Sequence, residues 1–217
     1  TTTNILECIN FFQSRKKYKV GRFVYISSSM VYGDFKKNKA FESDELNPKE
    51  IYGTMKLAGE IVTKGLCKFY KIPYSIIRPS AVYGPTDMNN RVSQIFLEKA
   101  MQGELIKIQG KKEKLDFTYV EDLAYGCILA AIKKGGLNET FNITYGKAET
   151  LFKFVTILKK YFKNLKFRIE KRDNFRPKRG TLSTKKAQKL LNYKPEYNLE
   201  KGIEKYINFI NSISNKN

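Results

Sequence analysis

Histidine is absent from all 217 residues. That removes a Ser-His-Asp triad, a Cys-His pair and any His-ligated metal from the chemistry open to these residues. Any proton moved here must be moved by Tyr, Lys, Asp or Glu. Cysteine is scarce: Cys8, Cys67 and Cys127 are odd in number, far apart and form no CxxC pair. Neither a zinc site nor a disulfide framework is expected, and a reducing cytoplasm fits. No apolar run approaches the ~18–20 residues of a membrane span. The opening TTTNILECINFF has no basic segment leading into an apolar one, so no signal peptide is expected. It also has no initiator Met, and the chain is expected to start partway through a longer protein. No internal repeat and no low-complexity linker interrupts it.

What is present describes a folded chain. The composition is 41% apolar and 13% aromatic, enough for one sizeable core or for one domain plus part of a second. The formal charge is +20. Its lysines are spread along the whole chain and arrive with many Asn and Ile, which reads as compositional bias rather than a nucleic-acid-binding face. No helix-turn-helix, finger or RNP-type motif accompanies the charge. A positive field of this size favours an anionic, phosphate-bearing ligand.

Periodicity predicts a helix over residues 3–18 and a buried strand at RFVYIS. A polar loop leads to a long helix over 52–70 and a second buried strand, YSIIRPS, stopped by Pro79. Further helices are expected at 92–102, 151–162, 184–191 and 199–210. Strands are expected at ELIKIQG, ETFNIT and KFRIE, and KLDFTYVEDLAYGCILAAIKK runs from a strand into a helix with Asp122 near the junction. Alternating strands and helices imply an α/β architecture with a largely parallel sheet.

The chemistry-bearing constellation is a tyrosine and a lysine four residues apart. On a helix, positions i and i+4 share a face, and an ammonium one turn from a phenol favours the phenolate. Such a tyrosine can take a proton from a sugar or alcohol hydroxyl while hydride leaves the same carbon for a nicotinamide ring. YxxxK occurs three times, at Tyr32–Lys36, Tyr52–Lys56 and Tyr197–Lys201. Alone it is a weak signal in so lysine-rich a chain. The first match holds Gly33 in a loop. The third follows a proline with no hydroxyl-bearing strand end before it. The middle one follows the serine-bearing strand end ISSS and precedes the strand IIRP.

In order, RFVYISSSMVYG, E-x-x-x-x-NP…YGTMK, IIRPSAVYGP, LDFTYVEDLA, FNITYG and the tail RPKRGTLSTKKAQKLLNYKPEYNLEKGIEKYI resemble one family. It is the extended short-chain dehydrogenase/reductases that act on nucleotide sugars, the NAD-dependent epimerases and dehydratases. The resemblance spans essentially the whole chain. It implies a Rossmann-type doubly wound parallel sheet, lacking its N-terminal half, with a smaller α+β C-terminal substrate domain. Residues 1–85 would form the second half of the NAD-binding domain, with 115–134 returning to it, and 86–217 mainly the substrate domain. The family's GxxGxxG phosphate loop and its ribose-binding acid have no counterpart here, so roughly the first hundred residues of such a protein are expected to lie upstream.

By the same resemblance Ser28 matches the catalytic Ser/Thr, Tyr52 the catalytic tyrosine, and Lys56 the lysine that holds the nicotinamide ribose. Ser27, Pro79 and Ser80 fall near the cofactor, expected to be NAD rather than NADP. The substrate, expected to be a nucleoside-diphosphate sugar, would meet Ser29, Asn89, Asn90 and Arg91. It would also meet Arg176, Arg179 and Lys114, the last standing in for an Arg that the motif LDF lacks. Solvated surface is the competing reading for each of these polar and charged side chains. Ala81 replaces an Asn common in the family. Ser29 and Met30 occupy positions that hold Asp and Glu in the resembling 4,6-dehydratases, which turns the expectation towards C4 epimerisation, with keto-sugar reduction, dehydration or a non-catalytic fragment as alternatives. The family also implies a homodimer paired through helices 3–18 and 52–70.

Overall fold

The computed structural model describes residues 1–15 and 18–214. Helix α1 (Thr2–Ser14) opens the chain and buries Leu6 against Cys67 and Ile72. It ends at Ser14, earlier than the expected 3–18; residues 16 and 17 lie outside the described residues. Strand β1 (Phe23–Ile26) leads through a 3-10 turn (Ser29–Tyr32) and the short β2 (Lys39–Ala40) into α2 (Ile51–Phe69). Strand β3 (Tyr74–Arg78) follows. It pairs in parallel with β1 on one side and with β8 (Glu139–Asn142) on the other, Ile77 facing Ile26 and Phe141.

This three-stranded sheet is covered on both faces, and the alternation of β3 shows how. Ser75 and Ile77 point one way: Ser75 Oγ donates to Ala130 O of α4 (Val120–Ile132) at 3.0 Å, and Ile77 joins the core built by α4 and α6 (Lys185–Leu191). Tyr74 and Arg78 point the other way, towards α2. A period of two on a strand buried on both faces leaves no position for exposed polar groups, and Ile76 and Ile77 are fully buried. The expectation of a buried strand is met at β3 and corrected at β1. There Phe23, Val24 and Tyr25 are half-buried and Ile26 is 40% exposed. β1 pairs with β3, and no other strand pairs with it among the described residues.

A second core lies beyond the sheet. It gathers α3 (Val92–Gln102), α5 (Leu151–Tyr161) and α7 (Leu199–Ser214) around the parallel pair β5 (Leu105–Gln109) and β10 (Lys166–Glu170). Tyr83, Phe117 and Tyr119 pack edge-to-face there, with Phe154 beside Phe117, a geometry aromatic quadrupoles favour. Three short ladders complete the pairing: β4 (Val82–Tyr83) with β7 (Thr118–Tyr119), β6 (Lys114–Leu115) with β9 (Glu149–Thr150), and β11 (Thr181–Leu182) with β2. Only the β6–β9 pair is antiparallel among them.

One buried carboxylate joins three of these segments. Asp116, between β6 and β7, accepts from Leu182 N at 2.9 Å, Gly146 N at 3.0 Å and Thr144 Oγ1 at 3.1 Å. Asp122 does the same for the tail, accepting from Glu196 N and Tyr197 N at 2.8 and 3.0 Å. Asp116 thereby fixes β11, which follows the loop bearing Arg176 and Arg179, against the sheet.

Candidate active site

The serines of the opening strand separate in three dimensions. Hydrogen bonds to β3 continue past both strand ends, from Ser27 N to Ile77 O at 2.7 Å and from Ser29 N to Pro79 O at 2.8 Å. Ser28 sits between them as the N-cap of the 3-10 turn, its Oγ accepting from Met30 N at 3.1 Å. This is what a serine does at a helix start, and it aims the hydroxyl outward from the strand end. Gly33 closes the turn at φ +64, where a Cβ would lie 1.9 Å from Asn47 O.

Helix α2 brings the tyrosine and lysine to this turn. Tyr52 lies in its first turn, 51% exposed. Gly53 allows the approach: a Cβ there would sit 2.6 Å from the backbone oxygen of Met30. One turn on, Lys56 Nζ donates to Ile26 O at 2.8 Å and lies 5.7 Å from the ring centroids of both Tyr52 and Tyr25. Burial first, and then the charge of Arg91, lower the proton affinity of this ammonium.

Ser28, Ser29 and Tyr52 open with Pro79 onto one cavity of about 680 Å³. Asn89, Asn90 and Arg91 form part of its wall, and Arg176 and Arg179 another. Asn90 takes a left-handed φ of 52°. Arg91 donates to Val82 O at 3.3 Å, and Arg176 to Gln109 Oε1 at 2.8 Å. Burial lowers the Arg179 guanidinium to about 10, and among the described residues it has no ion-pair partner. Among the described residues, no Asp or Glu lines the cavity.

Other expected residues stand apart from that lining. Ser27 is buried and its Oγ donates to Glu60 Oε1. Ser80 is buried next to Pro79 in the chain, its Oγ without a hydrogen-bond partner among the described residues. Ala81, which does line the cavity, holds a left-handed φ of 39°, a conformation Asn and Gly enter more readily than Ala. Lys114 is exposed on β6, while its neighbour Leu115 lines the cavity. Among the lining residues that escaped the sequence reading are Lys107 and Gln109 of β5. Their signal was the i, i+2 spacing that puts both on one strand face.

The sequence profile of the NAD dependent epimerase/dehydratase family matches residues 1–144. The chain belongs to that family. A UDP-glucuronate 4-epimerase from Thermodesulfobacterium geofontis is 27% identical over 215 residues, covering 95% of this chain and 64% of the relative. A UDP-glucuronic acid 4-epimerase from Bacillus cereus, solved with UDP-glucuronic acid and NAD, superposes with a TM-score of 0.87 at 27% identity, over 98% of this chain and 66% of that one. A UDP-glucose 4-epimerase from Thermotoga maritima, solved with UDP-glucose, gives 0.83 at 27% identity, over 93% and 67%. The architecture is thus that of Rossmann-fold epimerases, and the chain spans about two thirds of the length of these relatives.

Proposed function

We propose that this chain carries the catalytic face and sugar pocket of an NAD-dependent nucleotide-sugar 4-epimerase. The observation that carries the reading is the meeting of Ser28 and Tyr52, with Lys56 beside the tyrosine, at one corner of an acid-free cationic cavity. Tyr52 takes the proton of the sugar C4 hydroxyl, and Ser28 hydrogen-bonds that hydroxyl and orients it. Lys56, half-buried and cationic, stabilises the phenolate. Tyr52 then gives the proton back to the C4 oxygen of the transient keto-sugar; the inversion itself requires hydride to return to C4 on the face opposite the one it left.

NAD, when bound, supplies the acceptor and donor of the hydride. The residues present fit its nicotinamide-ribose end. An ammonium has three donors, and Lys56 commits one of them to Ile26 O. The buried Ser80 hydroxyl beside Pro79 is unpartnered. Arg176 and Arg179 match a diphosphate in charge, and Asn89, Asn90 and Arg91 face the sugar. The dehydratase alternative is disfavoured because Ser29 and Met30 line the cavity where water elimination would need an acid and a base.

In this reading residues 1–85 and 115–134, joined by β8 and α6, form the cofactor-side domain, and the α3–α5–α7 core carries the substrate side. A homodimer through α1 and α2 suits their exposed Phe11, Phe12 and Phe69, and the cytoplasm suits free cysteines. The test uses the full-length protein with NAD and UDP-hexoses. Tyr52→Phe is expected to abolish turnover, by about 10³-fold or more, with NAD binding retained. Unchanged turnover sinks the assignment.

A further inference from the structure

Behind the serine turn lies an ion pair that none of the roles above uses. Glu60 and Arg78 are 1% and 2% exposed. Arg78 Nη2 and Nε donate to the two carboxylate oxygens at 2.7 and 2.9 Å, a bidentate fork only arginine makes. Glu60 Oε1 also accepts from Ser27 Oγ at 2.5 Å. The remaining arm of the guanidinium, Nη1, donates to the Tyr32 hydroxyl at 3.0 Å and to Glu42 O at 3.2 Å. Tyr32 in turn donates to Asn142 Oδ1 at 2.8 Å. The pair therefore grips both flanks of Ser28: Ser27 through the carboxylate and Tyr32 through the guanidinium.

The other end of the grip is α2 itself. Glu60 follows Lys56 by one turn and Tyr52 by two, on the same face. Buried ion pairs give little net stability, because desolvation offsets most of their attraction; what they do supply in some systems is register. Here the register is that of the serine turn against the helix carrying the tyrosine and lysine.

We propose that the Glu60–Arg78 pair is a positioning device that holds Ser28 in place relative to Tyr52 and Lys56. Its activity arm rests on the proposed function; its structural arm does not. The experiment uses the full-length protein with NAD and compares Glu60→Gln with the double variant E60Q/R78M. The single change puts an amide N–H₂ against guanidinium donors. It is expected to lower kcat by about 10–100-fold with KM for the nucleotide sugar within about twofold. Loss of the Ser28 cap should speed hydrogen exchange at the Met30 amide by about tenfold or more.

The double variant removes the donor conflict and the buried charge together. It is expected to recover the melting temperature while kcat and Met30 exchange stay altered. Recovery of kcat together with stability would show a purely structural pair and overturn the proposal. So would wild-type kcat and Met30 exchange in Glu60→Gln, which also decides the matter if the double variant stays unstable. If the wild type turns over no nucleotide sugar, the proposed function fails, and Met30 exchange alone still decides the positioning.

Discussion

Replacing Asp116 by Ala tests how the arginine-bearing loop is held. The carboxylate is fully buried and accepts three hydrogen bonds from two separate segments, residues 144–146 and β11. Deleting it strands two backbone N–H groups and one hydroxyl. A stranded buried donor costs about 1–3 kcal/mol. Taking the low end for each of the three donors, the sum is about 3 kcal/mol. For a chain of this size each kcal/mol lowers Tm by about 2–4 °C, which gives a fall of about 6–12 °C at neutral pH. Burial also pushes the Asp116 carboxyl up to about 6 from its ordinary 3.8. The folded state therefore holds that proton more tightly than the unfolded chain, so the contribution is complete below about pH 4 and shrinks as pH rises to about 6. The stability difference between wild type and Asp116→Ala, measured by calorimetry from pH 4 to 7, should narrow by an amount on the order of 2 kcal/mol. A neutral-pH fall below about 2 °C, or a gap that widens with pH, would refute the reasoning.

Three further changes probe the site. Gly53→Ala drives a Cβ into the Met30 backbone oxygen. The clash should outweigh the ~1 kcal/mol gained in helix propensity and lower kcat about tenfold or more at nearly constant KM; wild-type kinetics would show that the close approach is unnecessary. Ser80→Ala removes an unpaired buried hydroxyl. It should raise Tm of the NAD-free protein by about 2–4 °C and weaken NAD binding, and unchanged calorimetric affinity would remove Ser80 from the cofactor site. Ser28→Ala should lower kcat by about 10²-fold with a loss of about 1 kcal/mol from the missing cap; turnover within twofold of wild type excludes the assigned role.

Much of this was legible in the linear sequence because it is local. The long helix around YGTMK and the strand IIRP are set by periodicity and by Pro79, and the observed Ile51–Phe69 and Tyr74–Arg78 follow those signals closely. The i, i+4 relation of Tyr52 and Lys56 is a property of any helix, so it needed no tertiary information. The absence of histidine confined proton transfer to a few residue types before any fold was known.

What local pattern could not reveal is where segments distant in sequence meet. β1 reads as a buried strand, yet among the described residues it lies half-exposed, with β3 its one paired neighbour. Lys114 and Leu115 are adjacent in sequence, but the pleat sends Leu115 into the cavity wall and leaves Lys114 in solvent. Glu60, Arg78 and Ser27 look like an ordinary helix acid, a strand-end base and a turn serine. Three elements had to pack before they became one buried network. The sequence alone determined the helices, the longer strands and the reactive side chains, since these follow from short-range sterics and hydrogen bonding. Tertiary packing alone decided that Ser28 and Tyr52 share a cavity without acids and that a carboxylate and a guanidinium lie buried behind it. Those facts depend on contacts between residues far apart in sequence, which no local pattern encodes.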